Sequence, residues 1–363
     1  MQNDDQFIAS GEPKSSIEKA SFTWEAPSNI ALIKYWGKTE PQLPKNASLS
    51  FTLSQSKTIT TVSFTKLERP YETVDFTLYF DQVKQESFRP KIATFFKRIA
   101  QYIPFIHEYS LVIHTKNTFP HSSGIASSAS GMAALALCIM QLEKALNPSL
   151  SEVYFNQKAS FLARLGSGSA SRSIEGPLVL WGKHDRIPQS SDAYAIKIPN
   201  AIAPIFSTYK DRILLVDKGE KQVSSTVGHE LMVDHPYAEA RFTQANKNLS
   251  SLLDAMETGN LARFIHLVEL EALSLHAMMM TSSPYFMLMK PNTLAIIHHI
   301  WQFRANTNLH LCFTLDAGAN VHLLYPENET EQIDAFINDK LLSFCQNKHY
   351  ICDNVGFGAR QLP

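Results

Sequence analysis

Residues 131–140, GMAALALCIM, hold ten positions without a charge, inside the longer helical pattern GIASSASGMAALALCIMQLEKAL (124–146). A helix apolar on every side has no face to give to water, so it must be enclosed by other elements. Its mouth is of the opposite kind. PHSSGIASSASG (120–131) sets Ser122, Ser123, Ser127, Ser128 and Ser130 around Gly124, where the helix leaves backbone N–H groups unpartnered and its dipole adds partial positive charge. A glycine there lets an anion reach the backbone, which makes Gly124, Ile125, Ala126, Ser127, Ser128 and Ser130 a candidate phosphate cradle. A close-packing helix end capped by serines is the other reading. The loop is not of the G-x-x-x-x-G-K-[ST] kind.

The 363-residue chain is long enough for two domains; 44% hydrophobic and 18% charged residues are the composition of a globular protein. A formal charge of −1 gives no global attraction for nucleic acid or a membrane surface, so any anion must be bound by local charge. Cys138, Cys312, Cys345 and Cys352 lack C-x-x-C spacing and read as free thiols of a reducing cytoplasm. The first residues lack the apolar stretch of a secretory signal, and no apolar run is expected to reach the ~18 residues of a membrane span.

Residues 1–20 read as a frayed polar tail. SFTWEA, ASLSFTL, TITTVSF and TVDFTLYF then alternate as four short strands, followed by a helix in KIATFFKRIAQYI, a strand in SLVIHTKN, the long apolar helix and a helix in LSEVYFNQKASFLARLG. The second half carries three helical patterns within 238–306, two apolar strands around a tight turn in NLHLCFTLDAGANVHLLYP, and a helix in EQIDAFINDKLLSFCQ. These predict an α+β chain with an N-terminal domain over 21–205 and a C-terminal domain over 206–363, joined near IPNAIAPIFSTYKD.

Three more stretches carry candidate chemistry. GSGSASRS (166–173) is a second hydroxyl-rich loop, and its Arg172 offers a planar fork suited to a carboxylate or phosphate. SNIALIKYWGK (28–38) sets Lys34 and Lys38 around Tyr35 and Trp36; alone it could be an ordinary strand with snorkelling lysines. In FTLDAGAN (313–320), Asp316 ends an apolar strand at a small-residue turn, where it either caps the turn or orients a substrate hydroxyl. The 13 histidines show no metal-binding spacing; His266, His276, His298 and His299 read as core or surface residues, and His121 lies beside the phosphate loop.

APSNIALIKYWGK, PHSSGIASSASG, GSGSASRS and TLDAGAN, with KQVSSTVG (221–228) between the last two, resemble in this order the signature segments of the diphosphomevalonate decarboxylases. That family belongs to the GHMP kinase superfamily. The chain departs from the family pattern in His121–Ser123 before Gly124 and in Ala319, where a proline is usual. The resemblance implies a domain like the second domain of ribosomal protein S5, then a ferredoxin-like domain. It implies ATP-dependent conversion of mevalonate 5-diphosphate to isopentenyl diphosphate, CO2, ADP and phosphate, with Mg2+, by a cytoplasmic homodimer that binds neither nucleic acid nor membrane.

By the same resemblance Asp316 would orient or deprotonate the 3-hydroxyl, Arg172 would hold the carboxylate and Lys34 would face the anions. Asn29, Tyr35, Trp36, Gly37, Lys38, Ser167, Gly168, Ser169, Ala170, Ser225 and Thr226 would surround the substrate. The Gly124–Ser130 loop and Lys221 would hold ATP, with Ser128 near Mg2+. A monophosphate decarboxylase or a mevalonate 3-kinase differs by few pocket contacts and stays open here; another small-molecule kinase or a non-catalytic ligand sensor stands further off.

Overall fold

The computed structural model describes residues 4–9, 16–120, 125–199, 201–218 and 225–363. Its first half contributes strands β1 (Lys19–Ala31), β2 (Lys38–Thr39), β3 (Leu43–Pro44), β4 (Ser48–Lys66), β5 (Asp75–Phe80), β6 (Val83–Lys84), β7 (Tyr109–Asn117), β8 (Leu178–Trp181) and β9 (Ala195–Lys197). The strands β1, β4, β7, β5 and β6 lie side by side in that order, antiparallel except for β5 beside β7, and β8 pairs with both β4 and β9.

ASLSFTL and TITTVSF, expected as two strands, are one: β4 runs 19 residues without a turn. Its first residues pair with β8 and its last with β7, so one strand serves two neighbours in succession. Midway, the backbone N–H groups of Ser54, Gln55 and Ser56 all donate to the buried Asp353 carboxylate, each at 2.8 Å. This satisfies the stretch where the sheet partner changes.

Helices α1 (Arg89–Ile99), α2 (Ser127–Leu146) and α3 (Glu152–Gly166) cover this sheet. At 20 residues α2 is long and apolar enough to cross a membrane, which corrects the expectation from the sequence. Most of it is nevertheless buried, packed on β1, β4 and α3. The first 20 residues are not a tail throughout. Asp4–Phe7 forms a single helical turn, and the Phe7 ring stacks on Phe161 at 4.5 Å in the core.

The second half adds β10 (Lys210–Leu214), α4 (Ser225–Glu230), α5 (Ala238–Thr258), α6 (Leu261–Met280), α7 (Pro291–Thr307), β11 (Cys312–Thr314), β12 (Val321–Tyr325), α8 (Thr330–Phe336), β13 (Tyr350–Asn354) and β14 (Arg360–Leu362). The order β11-β12-β10-β13 makes a four-stranded antiparallel sheet. Gly259, at φ +72°, ends α5, and the Asn260 side chain accepts the Arg263 N–H to begin α6. The helix expected over EQIDAFINDKLLSFCQ keeps α geometry only to Phe336, then loosens into a π turn and a 3-10 turn. β14 leaves this half and pairs antiparallel with β1.

One apolar core joins both halves: Ile30, Leu32 and Leu49 meet Leu249, Leu253, Val268 and Leu324. The expected join is part of it, with the Phe206 and Tyr209 rings packed on Phe264 at 4.8 and 5.3 Å. The α+β architecture expected from the sequence is therefore present, and a cleft lies where β1, α2, α3 and the β11–β12 turn converge.

Candidate active site

A cavity of about 520 Å³ fills that cleft. At one wall the Lys34 Nζ lies 3.0 Å from the Asp316 carboxylate; Lys34 is 3% exposed and Asp316 29%. Burial pushes the lysine ammonium below its ordinary pKa, and the Asp316 charge opposes that shift. Both partners are held from behind. The Lys34 N–H donates to the buried Glu271 carboxylate at 2.9 Å, and Glu271 also accepts from Arg241 and from Asn248 Nδ2. The His276 ring lies with Nε2 3.1 Å from the Asp316 carbonyl oxygen. Burial holds this ring neutral, with a pKa down to about 4, so Nε2 carries the proton and donates.

Arg172 forms the next part of the wall. It donates to the Ser48 hydroxyl, stacks over the Tyr35 ring at 5.4 Å and the Trp181 ring at 6.0 Å, and forms no ion pair among the described residues. Its Nε is buried without a partner, as is Asn29 Oδ1, whose amide nitrogen donates to Ser173 Oγ at 2.8 Å and to the Ser169 carbonyl at 3.2 Å. These two atoms are sealed, but both residues also line the cavity, where the Arg172 charge has no carboxylate paired with it among the described residues. Tyr35, Trp36, Lys38, Ser167, Gly168 and Ser169 line the same space. Burial raises the Tyr35 pKa to about 12, so its hydroxyl keeps its proton.

The two serine loops meet. Ser128 Oγ lies 3.4 Å from Ser167 Oγ, and Ile125, Ala126, Ser127, Ser128 and Gly131 line the cavity at the start of α2. Ala126 takes a left-handed conformation (φ +35°) unusual for a residue with a Cβ, which turns the chain sharply into the helix.

Three sequence expectations change. Ser130 faces the sheet, where its hydroxyl pairs with Thr58 Oγ1 at 2.6 Å; it sits about 200° around the helix from Ser128. Ala170 packs into the apolar core. Gly37 does not line the cavity; its φ of +108° and the Phe242 ring, which a Cβ would meet at 2.8 Å, require a glycine there. Gly124 and Lys221 lie outside the described residues, as do the side chains of Ser225 and Thr226, which begin α4.

Among the described residues no three His, Cys, Asp or Glu side chains cluster as a ready metal cage. The donors at the α2 mouth are hydroxyls, with Asp316 also lining the cavity. That set fits Mg2+, which keeps waters and takes many of its oxygens from substrate phosphates. Beyond the α2 mouth the cavity turns apolar, lined by Leu78, Phe80, Phe88, Ile92, Ile113 and Leu135 with Lys91 at hand. This end was not legible in the sequence, nor were Glu271 and His229, and His276 read there only as a core or surface residue.

Residues 26–195 match the family described as the diphosphomevalonate decarboxylase-like N-terminal domain, and residues 212–355 match the mevalonate 5-diphosphate decarboxylase C-terminal domain. The diphosphomevalonate decarboxylase of Saccharomyces cerevisiae is 31% identical over 335 residues, 89% of this chain and 81% of that one. A solved complex, MDDEF with MVAPP, AMPPCP and magnesium, superposes with a TM-score of 0.80 at 30% identity, covering 95% of this chain and 99% of that one. The mevalonate diphosphate decarboxylase of Enterococcus faecalis gives 0.79 at 29% identity, with the same coverage.

Proposed function

The chain belongs to the diphosphomevalonate decarboxylase family, and from that premise we propose how its cleft divides the work. The activity is the ATP-dependent decarboxylation of mevalonate 5-diphosphate to isopentenyl diphosphate, CO2, ADP and phosphate in the mevalonate pathway, with ATP as co-substrate and Mg2+ beside it.

A tertiary hydroxide is a poor leaving group, so the 3-hydroxyl is phosphorylated first. Its oxygen attacks the γ-phosphorus of ATP, the bond from that phosphorus to the β-bridging oxygen breaks, and ADP departs. Asp316 orients the hydroxyl and receives its proton, and Lys34 steadies the aspartate and the phosphoryl oxygens arriving beside it. The C3–O bond then breaks to release phosphate. As positive charge grows at C3, the C1–C2 bond gives its electrons to a C2–C3 double bond and CO2 leaves. Arg172 and Asn29, which both line the cavity, hold the carboxylate until that step. Ser127 and Ser128 are the hydroxyls that would hold the phosphates and Mg2+, whose charge would offset that of the phosphates.

Tyr35, Trp36, Lys38, Ser167, Gly168 and Ser169 embrace the substrate and its diphosphate, and the apolar end takes the adenine base. The observation that carries this assignment is the Lys34–Asp316 pair, a buried cation beside a carboxylate that still reaches the cavity. ADP and CO2 release from Mg-ATP with mevalonate, its 5-phosphate and its 5-diphosphate in parallel tests it. Joint release, fastest with the diphosphate, is expected; ADP without CO2 would move the chain to a sister activity. We also infer a cytoplasmic homodimer, for which the four free thiols suit a reducing compartment and sedimentation of the purified chain reads the assembly.

A further inference from the structure

We propose that His229 is a specificity residue for the phosphorylated end of the substrate, donating a hydrogen bond from Nε2–H to a diphosphate oxygen. The inference deepens the reading above and rests on it. His229 lies in α4, is almost wholly buried, and borders the cavity. Its ring is stacked on Tyr35 with centroids 4.6 Å apart, and the Trp36 ring lies 4.7 Å away on a tilt. The Gly37 N–H donates to Nδ1 at 3.0 Å. An imidazole nitrogen that accepts from an amide carries no proton, so the proton of the neutral ring is on Nε2.

That nitrogen has no hydrogen-bond partner among the described residues, yet it is not among the buried atoms sealed from solvent. A donor of fixed tautomer, in a ring clamped by two aromatics and bordering the substrate cavity, is ready for an anionic acceptor. The clamp allows little adjustment. A Cβ on the adjacent Gly228 would meet the Trp36 ring at 2.4 Å, so α4 is seated directly against that indole.

The charges around His229 favour the diphosphate over the reacting carbon as its partner. The charges that bear on His229 are Lys38 and Arg172, whereas Asp316 bears on Arg172, and Lys34 feels both Asp316 and Arg172. Arg172 thus bears on both groups, while Lys38 bears on His229. These two cations, together with burial, keep the ring neutral in the free protein, with a pKa down to about 3. A neutral N–H donor beside Lys38 adds direction to a site where the lysine supplies charge.

The test uses two replacements in the full chain. Asn offers an oxygen at the place of Nδ1, keeping the Gly37 contact, and has nothing at Nε2. Gln offers an N–H at the place of Nε2. For His229→Asn, KM for mevalonate 5-diphosphate is expected to rise about ten- to a hundredfold, the worth of a hydrogen bond to a charged group. KM for ATP and the melting temperature should hold, kcat should change by less than about twofold, and preference for the diphosphate over the monophosphate should shrink. His229→Gln should recover most of the loss.

An unchanged KM for the diphosphate in the Asn variant overturns the proposal. So does a rise shared equally by ATP and diphosphate with a lowered melting temperature, or a Gln variant no better than Asn. If the Asn variant is recovered unfolded, the Gln variant decides: near-normal KM supports the donor, and a large rise in a folded protein rejects it. Wild-type protein runs in every assay; a wild type that releases no CO2 would instead defeat the family activity on which the proposal stands.

Discussion

Breaking the Lys34–Asp316 pair from either side should give different results, and the difference can be sized from the structure. Two unit charges 3.0 Å apart attract by about 5.5 kcal/mol at an effective dielectric of about 20. Asp316 keeps 29% of its surface in solvent, which screens part of that, so a net coupling of about 2–3 kcal/mol remains. Asp316→Asn preserves shape and an acceptor for the ammonium but leaves the lysine charge buried beside a second buried cation, Arg172. It should cost about 2–3 kcal/mol of stability and lower the single-turnover rate of CO2 release about a thousandfold, with nucleotide affinity kept. Lys34→Met removes the buried charge and leaves a carboxylate that water still reaches, so its stability should stay within about 1 kcal/mol of wild type. The double variant should be close to Lys34→Met in stability and no slower than Asp316→Asn, because the two residues act as a unit. Denaturant unfolding and quenched-flow CO2 release on all four proteins complete the cycle. A coupling under about 0.5 kcal/mol, or normal turnover in Asp316→Asn, would refute the reasoning.

Arg172→Ala should reduce kcat/KM for mevalonate 5-diphosphate by a hundredfold or more, the ~2–5 kcal/mol of a truncated buried charge contact, and leave ATP affinity intact; steady-state kinetics that match wild type would place Arg172 outside the carboxylate site. His276 gives a pH dependence of definite sign. Its folded pKa is depressed to about 4, so the unfolded chain takes up the proton first as pH falls, and the stability it contributes is whole above about pH 6.5 and lost toward pH 4. The stability gap between wild type and His276→Asn should therefore narrow by about 1.4 kcal/mol per pH unit between roughly pH 6 and pH 4, and parallel curves would show that the ring is not buried neutral. Phe7→Ala, which removes a buried ring stacked on Phe161 and away from the cleft lining, should cost about 3 kcal/mol in unfolding experiments with kcat and KM kept; a cost below about 0.5 kcal/mol would mean that this turn is not docked in solution.

Much of the site was legible because its chemistry is local. A run of hydroxyls at a helix mouth, an arginine in a small-residue loop, a lysine beside aromatics and an aspartate at a strand end can each be read without knowing what they face, and the structure sets Ser128, Arg172, Lys34 and Asp316 around one cavity. Orientation within those motifs was not legible. Ser130 and Ala170 belong to the same runs as Ser128 and Ser169 but turn to the core, since two α-helical steps, about 200°, separate Ser128 from Ser130 and one 3-10 step, about 120°, separates Ser169 from Ala170. His229, His276 and Glu271 were hidden for a different reason: each is one polar residue in a helix, and only tertiary packing says which face meets the cleft. The sheets show the same division. Alternating apolar residues marked the strands, yet the fusion of two expected strands into β4 depends on Asp353, about 300 positions away, and no short-range pattern carries that.

The pairing of β14 with β1 bears on the order in which the molecule is made. Arg360 reaches Glu25 across a sequence separation of 335, so nearly the whole chain must leave the ribosome before that edge of the first sheet is covered. Until then residues 23–25 present unpaired backbone groups on a nascent layer, open to the wrong partner. Thr23, Trp24 and Glu25 thus wait for a neighbour until the last residues are made, and crowded synthesis endangers this edge meanwhile.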